Sequence, residues 1–480
     1  MTAHQNFIAG AWIPAAQGAT FERRNPADQS DRIGVFPASA AEDAARAVTA
    51  VEAGRQEWAT AGAEARMRVL ERAADIIEER AGDLAVELTR EEGKTIASAT
   101  TEWRRSAANL RLYAGEAVRT RGETFPVDGS LVYTRREPVG VVLAITPWNF
   151  PISIPSRKIS PALAVGNGVI FKPSEVAPLT GQRFVEILLE AGVPAGAIAL
   201  LQGRGADLGE ALVTSPEVKA ITFTGSYPTG CLIHRLAGPD KRLQLEMGGK
   251  NPCIVLGDAD PVRAGEIIAR GAFALTGQAC TATSRAIVVG DLYDEVVGEV
   301  VKQAAAVRLG NGLDPDVTMG PLATKTQHEK VLGMVDIGKG EGLTLAFDGD
   351  DTGGGEPGGF FVGPKVFVDV PDDSLLAQEE IFGPVVCLQR AESYEAAVET
   401  ANSVEYGLAA SIVTKDFARA LDFAKDIEAG IVKVNSATGG VALSAPFGGI
   451  KHSSNQTYKE QAGHGVMDFY TTVKTVYLAS

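Results

Sequence analysis

The side chains best suited to covalent chemistry are one cysteine and one glutamate. Cys280 lies in a polar turn of small residues, 276–281, whereas the other three cysteines have surroundings typical of inert thiols. A thiolate in such a turn can attack a carbonyl carbon. Glu246 lies between an apolar stretch and the glycines 248–249, where a carboxylate can be a general base with a raised pKa or, equally, an ion-pair partner.

An amide side chain stands between two aromatic residues in the segment 148–151. Asn149 must find a hydrogen-bond partner if it is buried, and it can either donate to an oxyanion or lock a turn. The histidines all lie far from Cys280 in sequence, at His4, His234, His328, His452 and His464. A cysteine–histidine hydrolase dyad nevertheless stays open, because such partners meet only in the fold.

Two turns have the composition of a nucleotide site. The segment 225–230 begins and ends with glycine, follows an apolar run and should open a helix, so its backbone can approach a phosphate closely. Lys172 and Glu175 follow another apolar run, and such a pair can hold ribose hydroxyls. A ligand-free turn and a solvated loop are the alternatives for each segment alone. Two such turns in one sheet favour a nucleotide.

The elements that must position these residues alternate between short apolar runs and helical stretches. The runs are at 141–145, 168–171, 197–201 and 219–223, with helices predicted at 180–191 and 206–214. After residue 249, runs at 252–256 and 286–289 are accompanied by helices near 261–273 and 293–307. This alternation predicts parallel sheets, in which ligands bind beyond the carboxyl ends of the strands.

The composition argues against several other classes of protein. Of 480 residues, 45% are hydrophobic and 22% are charged, and no window is apolar for long enough to form a membrane helix. The lack of such a window argues against a membrane as partner. The net charge of −15 would repel phosphate backbones, so nucleic acid is not an expected partner either. The scattered cysteines fit neither a disulfide framework nor a metal site. With no signal peptide visible, they indicate a cytoplasmic protein.

Several segments occur in the order found in the aldehyde dehydrogenase superfamily, which the chain resembles over most of its length. They are residues 146–151, 172–175, 223–226, 245–252, 277–280, 379–384 and 446–449. The resemblance implies an α/β fold with two Rossmann-like domains and a small β oligomerisation element. It also implies NAD(P)-dependent oxidation of an aldehyde to a carboxylic acid through a cysteine thiohemiacetal and a thioester.

The resemblance also implies roles for individual residues. Cys280 matches the nucleophile, Asn149 an oxyanion donor together with the Cys280 N–H, Glu246 the base that activates water, Lys158 a lysine near the oxyanion, and Glu460 a supporting acid. The implied cofactor contacts are Ile145, Trp148, Lys172, Ser174, Glu175, Gly209, Phe223, Gly225, Ser226, Gly230, Glu380 and Phe382. NAD and NADP are both expected to serve as cofactor, and no metal ligand is implied.

The substrate is expected to be a short semialdehyde that carries a carboxylate. The segment 450–461 is serine-rich where the family commonly has Gly-Tyr-Gly, and it is similar to a subgroup that oxidises 2-oxoglutarate semialdehyde (2,5-dioxopentanoate). Arg157 resembles a carboxylate-binding arginine of the semialdehyde branch, and an ordinary surface arginine is the alternative. A second arginine of that branch is replaced by Ala274, and Arg285 is a candidate for its role. The implied substrate contacts are Arg157, Phe150 and Phe447.

Other substrates and another class of protein remain as alternatives. Succinate semialdehyde comes second, followed by a sulfonated or hydroxylated short aldehyde such as sulfolactaldehyde. A cysteine esterase or a non-catalytic binding relative is the alternative of a different class. The presence of Cys280, Glu246 and Asn149 argues against a non-catalytic relative, and nicotinamide reduction distinguishes the dehydrogenase from the esterase.

Three parts are expected in the chain. Residues 1–121 and 141–248 form a dinucleotide-binding domain, 249–440 a catalytic domain, and 122–140 with 441–480 an oligomerisation element and C-terminal segment. A β-hairpin predicted around Asp128 and Gly129 has an edge that a second subunit can complete. A homodimer or homotetramer is therefore expected.

Overall fold

The computed structural model describes residues 4–353, 358–458 and 462–479. The strands are β1 (Asn6–Ile8), β2 (Ala11–Ile13), β3 (Thr20–Arg24), β4 (Arg32–Pro37), β5 (Thr124–Val127), β6 (Ser130–Pro138), β7 (Val141–Ile145), β8 (Gly168–Lys172), β9 (Ile198–Leu200), β10 (Val218–Thr224), β11 (Arg242–Glu246), β12 (Asn251–Val255), β13 (Thr283–Val289), β14 (Thr344–Asp348), β15 (Lys365–Val368), β16 (Val385–Ala391), β17 (Tyr406–Gly407), β18 (Ala409–Val413), β19 (Ile431–Val434), β20 (Ile450–Lys451) and β21 (Thr471–Ala479). The α-helices are α1 (Ala41–Thr60), α2 (Ala63–Glu92), α3 (Ile96–Arg119), α4 (Ser153–Ala164), α5 (Pro178–Ala191), α6 (Gly205–Thr214), α7 (Tyr227–Ala237), α8 (Pro261–Phe273), α9 (Tyr293–Ala305), α10 (Lys325–Gly340), α11 (Leu375–Gln378), α12 (Tyr394–Asn402), α13 (Phe417–Asp426) and α14 (Val466–Tyr470).

Two seven-stranded sheets form the framework. The first has the order β11-β10-β7-β8-β9-β1-β2 and the second β14-β15-β16-β13-β12-β18-β19. Strands β7 to β11 run parallel, as do β12, β13, β15, β16, β18 and β19, whereas β1, β2 and β14 are antiparallel additions at the edges. The predicted apolar runs are the buried strands of these sheets, so the α/β class with two Rossmann-like units is confirmed.

The register of the first sheet brings several predicted residues to one edge. Thr224 pairs with Glu246, Phe223 with Ile145, and Ile145 in turn with Lys172. Since parallel strands end on the same side, the carboxyl ends of β11, β10, β7 and β8 form a continuous row. This edge is where the sequence predicted the ligands to bind.

A separate antiparallel sheet has the order β21-β6-β5. Strand β21 pairs with β6 from Thr471–Pro138 to Ala479–Ser130, and β5 and β6 form the predicted hairpin, whose turn contains Gly129 at φ +72°. This sheet exposes apolar side chains, namely Phe125, Val127, Leu131, Val473, Tyr477 and Leu478. Nowhere in the described part of the chain is a helix both long and apolar enough to cross a bilayer.

Helix α3 packs against both α2 and α4. Trp103 on α3 is buried and donates from Nε1 to the carbonyl oxygen of Leu84 on α2 at 3.1 Å, which fixes the rotation of α3 about its axis. One face of α3 is therefore turned toward the start of α4, next to the carboxyl ends of the first sheet.

Candidate functional site

Cys280 comes after a backbone turn in an unusual conformation. Leu275, Thr276 and Gly277 have φ of 53°, 58° and 67°, all in the left-handed region. A side chain at Gly277 is excluded, because a Cβ would lie 2.0 Å from the carbonyl oxygen of Gly383. A β-branched threonine in this region is strained, and such strain concentrates at functional sites.

Side chains of the turn hold it against a neighbouring segment. Thr276 donates from Oγ1 to the Gly320 carbonyl at 2.9 Å, and Gln278 accepts at Oε1 from the N–H of Ala323 at 2.9 Å. These hydrogen bonds compensate for the strain and fix the position of the half-buried Cys280. Burial raises the pKa of the Cys280 thiol to about 12, with the carboxylates of Glu380 and Glu246 adding to the shift.

A buried ion pair holds the loop that carries Asn149. Lys94 lies 2.5 Å from Glu102 and donates at 2.7 Å to the backbone oxygen of Asn149. Glu102 accepts in turn from the N–H groups of residues 152–153 at 3.1 and 3.0 Å, which begin α4. Asn149 itself donates from Nδ2 to the carbonyl of Gln278 at 2.9 Å. The predicted oxyanion donor and nucleophile are thus linked through the residue at 278.

Glu246 is buried at the end of β11, and its carboxylate accepts from the N–H of Gly449 at 3.4 Å. The serine-rich segment lies alongside, since Ser453 accepts from the Met247 N–H at 3.0 Å and donates from Oγ to the Gly248 carbonyl at 2.7 Å. The segment therefore fixes the backbone directly after Glu246.

Lys158 is fully buried below this edge of the sheet and donates to Thr222 Oγ1 at 2.7 Å, which donates to Gln244 at 2.8 Å. Burial lowers the pKa of Lys158 to about 7, and the negative charge of Glu246 offsets part of this decrease. Lys158 does not line the cavity beside Cys280, so any influence on an oxyanion acts through space.

One cavity of about 430 Å³ brings together the nucleophile candidate, the base candidate and every predicted substrate contact. These are Cys280, Glu246, Phe150, Arg157 and Phe447. Arg157 is 7% exposed, and its Nε has no hydrogen-bond partner among the described residues. Burial lowers the pKa of Arg157 to about 10, and the nearby charge of Arg105 acts in the same direction.

A groove of about 180 Å³ reaches Cys280 from another direction. Of the predicted cofactor contacts, Trp148, Gly225, Ser226, Glu380 and Phe382 line it. Its polar groups fit a dinucleotide: Ser226 occupies the N-cap position of α7, a helix N-terminus suited to phosphate, and Glu380 offers a carboxylate that can accept from ribose hydroxyls. The rings of Trp148 and Phe382 meet edge to face at 5.5 Å.

The remaining predicted cofactor positions lie outside this groove. Lys172 and Glu175 form a 3.6 Å ion pair at the end of β8, where Ile145 is the register partner of Lys172. Ser174 accepts at Oγ from the N–H of Val176. The aromatic ring of Phe223 lies under Gly225, Gly230 packs against Met247, and Gly209 lies on α6 with open space beside it.

The structure corrects one prediction and leaves another untested. Arg285 is not a substitute for the missing second arginine, because it is fully buried and donates to the backbone carbonyls of Thr400 and Ala401 at 2.8 Å. Besides Arg157, the cavity is lined by Arg105 on α3, which was not predicted from the sequence. Glu460 lies outside the described residues.

The groove also contains residues that the sequence motifs did not indicate. Gln327 donates to the carbonyls of Ile381 and Phe382 at 3.0 and 2.8 Å, and Lys330 donates to the carbonyl of Glu380 at 2.8 Å. Both are on α10 and hold the segment that carries the predicted ribose carboxylate. Nothing in their local sequence distinguishes them from ordinary surface residues.

Comparison with known proteins gives one consistent result. A model described as the aldehyde dehydrogenase family matches residues 12–476. An alpha-ketoglutaric semialdehyde dehydrogenase of Bacillus subtilis is 42% identical over 98% of this chain and 97% of that protein. A 2,5-dioxopentanoate dehydrogenase of Saccharolobus solfataricus is 38% identical over 98% of each. The NAD+ complex of an aldehyde dehydrogenase from Bacillus cereus has a TM-score of 0.95 at 37% identity, covering 100% of this chain and 97% of that one.

Proposed function

The chain belongs to the aldehyde dehydrogenase family, and we propose that its substrate is 2-oxoglutarate semialdehyde, which it oxidises to 2-oxoglutarate with NAD or NADP. The observation that carries the choice of substrate is Arg157. It is a buried guanidinium in the cavity that also contains Cys280 and Glu246. A guanidinium binds a carboxylate through two parallel hydrogen bonds, and a carboxylate would supply the counter-charge that Arg157 lacks among the described residues.

In the proposed mechanism the Cys280 sulfur forms a bond to the aldehyde carbon while its proton passes to Glu246. The carbonyl oxygen gains the negative charge. It is stabilised by the backbone N–H of Cys280 and by the Asn149 amide, whose Nδ2 already donates one hydrogen to Gln278. The buried Lys94–Glu102 pair keeps that amide in place, so little reorganisation is needed when the charge develops.

The cofactor supplies a hydride acceptor when it is bound. Trp148, Ser226, Glu380 and Phe382 are the residues proposed to hold it in the groove beside Cys280. Lys172 and Glu175 are proposed for the adenosine ribose at the end of β8. Loss of the hydride leaves an acyl group on the sulfur of Cys280 as a thioester.

Hydrolysis of that thioester is assigned to Glu246. After releasing its first proton to solvent, the carboxylate takes a proton from a water molecule as the water attacks the acyl carbon. The C–S bond then breaks, the acid departs, and the sulfur of Cys280 takes up the proton held by Glu246. Burial at the end of β11 and the N–H of Gly449 hold the carboxylate at the rim of the cavity.

The exposed sheet β21-β6-β5 supports assembly of the enzyme as a homodimer or homotetramer. Apolar side chains on its surface, such as Tyr477 at 70% exposure, favour coverage by a second subunit. A cytoplasmic location is part of the same proposal, because the nucleophile requires a reduced thiol.

The proposal is tested by NADH and NADPH formation with a panel of aldehydes. 2-Oxoglutarate semialdehyde should exceed pentanal in kcat/KM by at least about tenfold, or about 1.4 kcal/mol, and Arg157→Ala should abolish that lead. Cys280→Ala should abolish turnover of every aldehyde. A higher kcat/KM for succinate semialdehyde or sulfolactaldehyde would replace the proposed substrate. A higher value for pentanal would remove the carboxylate claim altogether.

A further inference from the structure

The substrate cavity contains a second arginine besides Arg157. Arg105 lies on α3, where Ala97, Thr101 and Arg105 are spaced four residues apart and face the cavity together. Arg157 faces the same space from α4, one turn after Ser153. The two guanidinium groups therefore approach one end of the cavity from two adjacent helices.

Neither guanidinium is neutralised by a carboxylate in the described part of the chain. The pKa of Arg157 is shifted by burial and by Arg105, Tyr113 and Cys280, none of which is a carboxylate, and burial lowers the pKa of Arg105. The one acidic side chain of the cavity on α3, Glu102, is already bound to Lys94 and to the start of α4. This end of the cavity thus has an excess of positive charge.

The hydrogen bonds of Arg105 leave most of its donors available. One Nη donates to the carbonyl of Val441 at the rim of the cavity, and a guanidinium has five N–H donors. Lys433 nearby is occupied by the carbonyls of Gly439 and Gly440 and does not line the cavity. Arg105 is therefore the second cation that can reach a substrate.

We propose that Arg105 is a specificity-determining residue that binds the 2-oxo oxygen of the substrate while Arg157 binds the adjacent carboxylate. The inference rests on the proposed function and deepens it. A 2-oxo acid presents three oxygen atoms at one end, and a single guanidinium pairs with the two of the carboxylate. A second guanidinium beside the first can donate a hydrogen bond to the third oxygen, which belongs to the 2-oxo group. A semialdehyde without the 2-oxo group leaves Arg105 without that partner.

The test compares 2-oxoglutarate semialdehyde with 5-oxopentanoate, which has the same length and lacks only the 2-oxo group. In the wild-type enzyme kcat/KM should favour the 2-oxo substrate by at least about tenfold, and Arg105→Gln should reduce this ratio at least about fivefold. Arg105→Lys should give an intermediate ratio. Arg104→Gln, on the exposed side of the same helix, is the matched control for loss of charge and should keep the wild-type ratio.

A binding measurement keeps the inference testable if turnover is weak. By calorimetry, Arg105→Gln should weaken binding of 2-oxoglutarate at least about fivefold more than binding of glutarate. An unchanged ratio in Arg105→Gln, or an equal loss in Arg104→Gln, would overturn the role of Arg105 alone. If the wild-type enzyme prefers pentanal to both anionic aldehydes, the proposed function fails first and the role of Arg105 fails with it.

Discussion

Asn251 donates from Nδ2 to the carbonyl oxygen of Cys280 at 2.9 Å. The same amide donates to the carbonyl of Ala282 at 2.8 Å and accepts from the N–H of Ala409 at 3.0 Å. One side chain at the start of β12 thus joins the backbone at and after Cys280 to β18, while Thr276 and Gln278 hold the residues before Cys280. The strained turn persists because both of its ends are held.

Replacement of Asn251 should cost both stability and activity. Asn251→Ala leaves two carbonyls and one N–H without their partner, so the free energy of unfolding should fall by at least about 2 kcal/mol. The kcat should fall by about tenfold or more, because the Cys280 sulfur is no longer held. Asn251→Asp keeps the acceptor for Ala409 and places a carboxylate against two carbonyls. It should be at least as damaging, and an unaffected kcat in both variants would contradict the positioning role. Thermal unfolding and steady-state kinetics measure the two effects.

Variants of the buried pair of Lys94 and Glu102 should distinguish the effect of the pair on stability from its effect on catalysis. Breaking a buried ion pair on one side costs about 3–5 kcal/mol, so Lys94→Met and Glu102→Gln should each lower the melting temperature strongly. Joining Lys94→Met with Glu102→Leu should recover part of the loss, because the Glu102 carboxylate is removed together with its cation and only Glu92, 3.8 Å from Lys94, loses a neighbouring positive charge. The double variant should stay low in kcat, since the Asn149 loop and the start of α4 have lost their partners. Recovery of kcat together with stability would show that the pair only stabilises the fold.

The sequence was sufficient to predict the strands and helices and to identify functional residues that lie inside recognisable turns. Apolar runs ending in polar or glycine residues predict β7, β8 and β10 together with the turns after them, since strand ends and turns are local features. Arg105 could not be selected in the same way. Its role depends on the rotation of α3, which Trp103 fixes through a contact with α2, and on its distance from α4. Arg285 failed for the opposite reason, because its proximity to Cys280 in sequence says nothing about which way its side chain points.

Alkylation of Cys280 in the cofactor-free enzyme should be slow at neutral pH and should rise steeply with pH. Burial, and then the charges of Glu380 and Glu246, raise the thiol pKa to about 12, so the protonated form dominates below that value. Since only the thiolate reacts, the rate with iodoacetamide should increase about tenfold per pH unit between pH 7 and 9. A plateau near pH 8 would contradict a raised pKa.

The share of Glu380 in this shift can be measured separately. Glu380→Gln removes a negative charge that disfavours the thiolate, so alkylation at pH 8 should become faster than in the wild-type enzyme. The neighbouring Glu379 is exposed and is not among the groups that raise the pKa of Cys280, which makes Glu379→Gln the control. Equal rates for the two variants would show that Glu380 does not act on Cys280.

The absence of a side chain at residue 248 should matter for cofactor binding more than for folding. A Cβ there would lie 2.4 to 2.7 Å from the carboxylate atoms of Glu380, which is also held by the N–H of Gly249 at 3.1 Å. Gly248→Ala should therefore displace that carboxylate and raise the KM for NAD at least about tenfold, equivalent to about 1.4 kcal/mol of binding. Gly298 lies in α9, and a Cβ added there has nothing within 4 Å. The control variant Gly298→Ala should therefore leave the KM unchanged and slightly stabilise the helix. An unchanged KM in Gly248→Ala would show that Glu380 does not bind the cofactor.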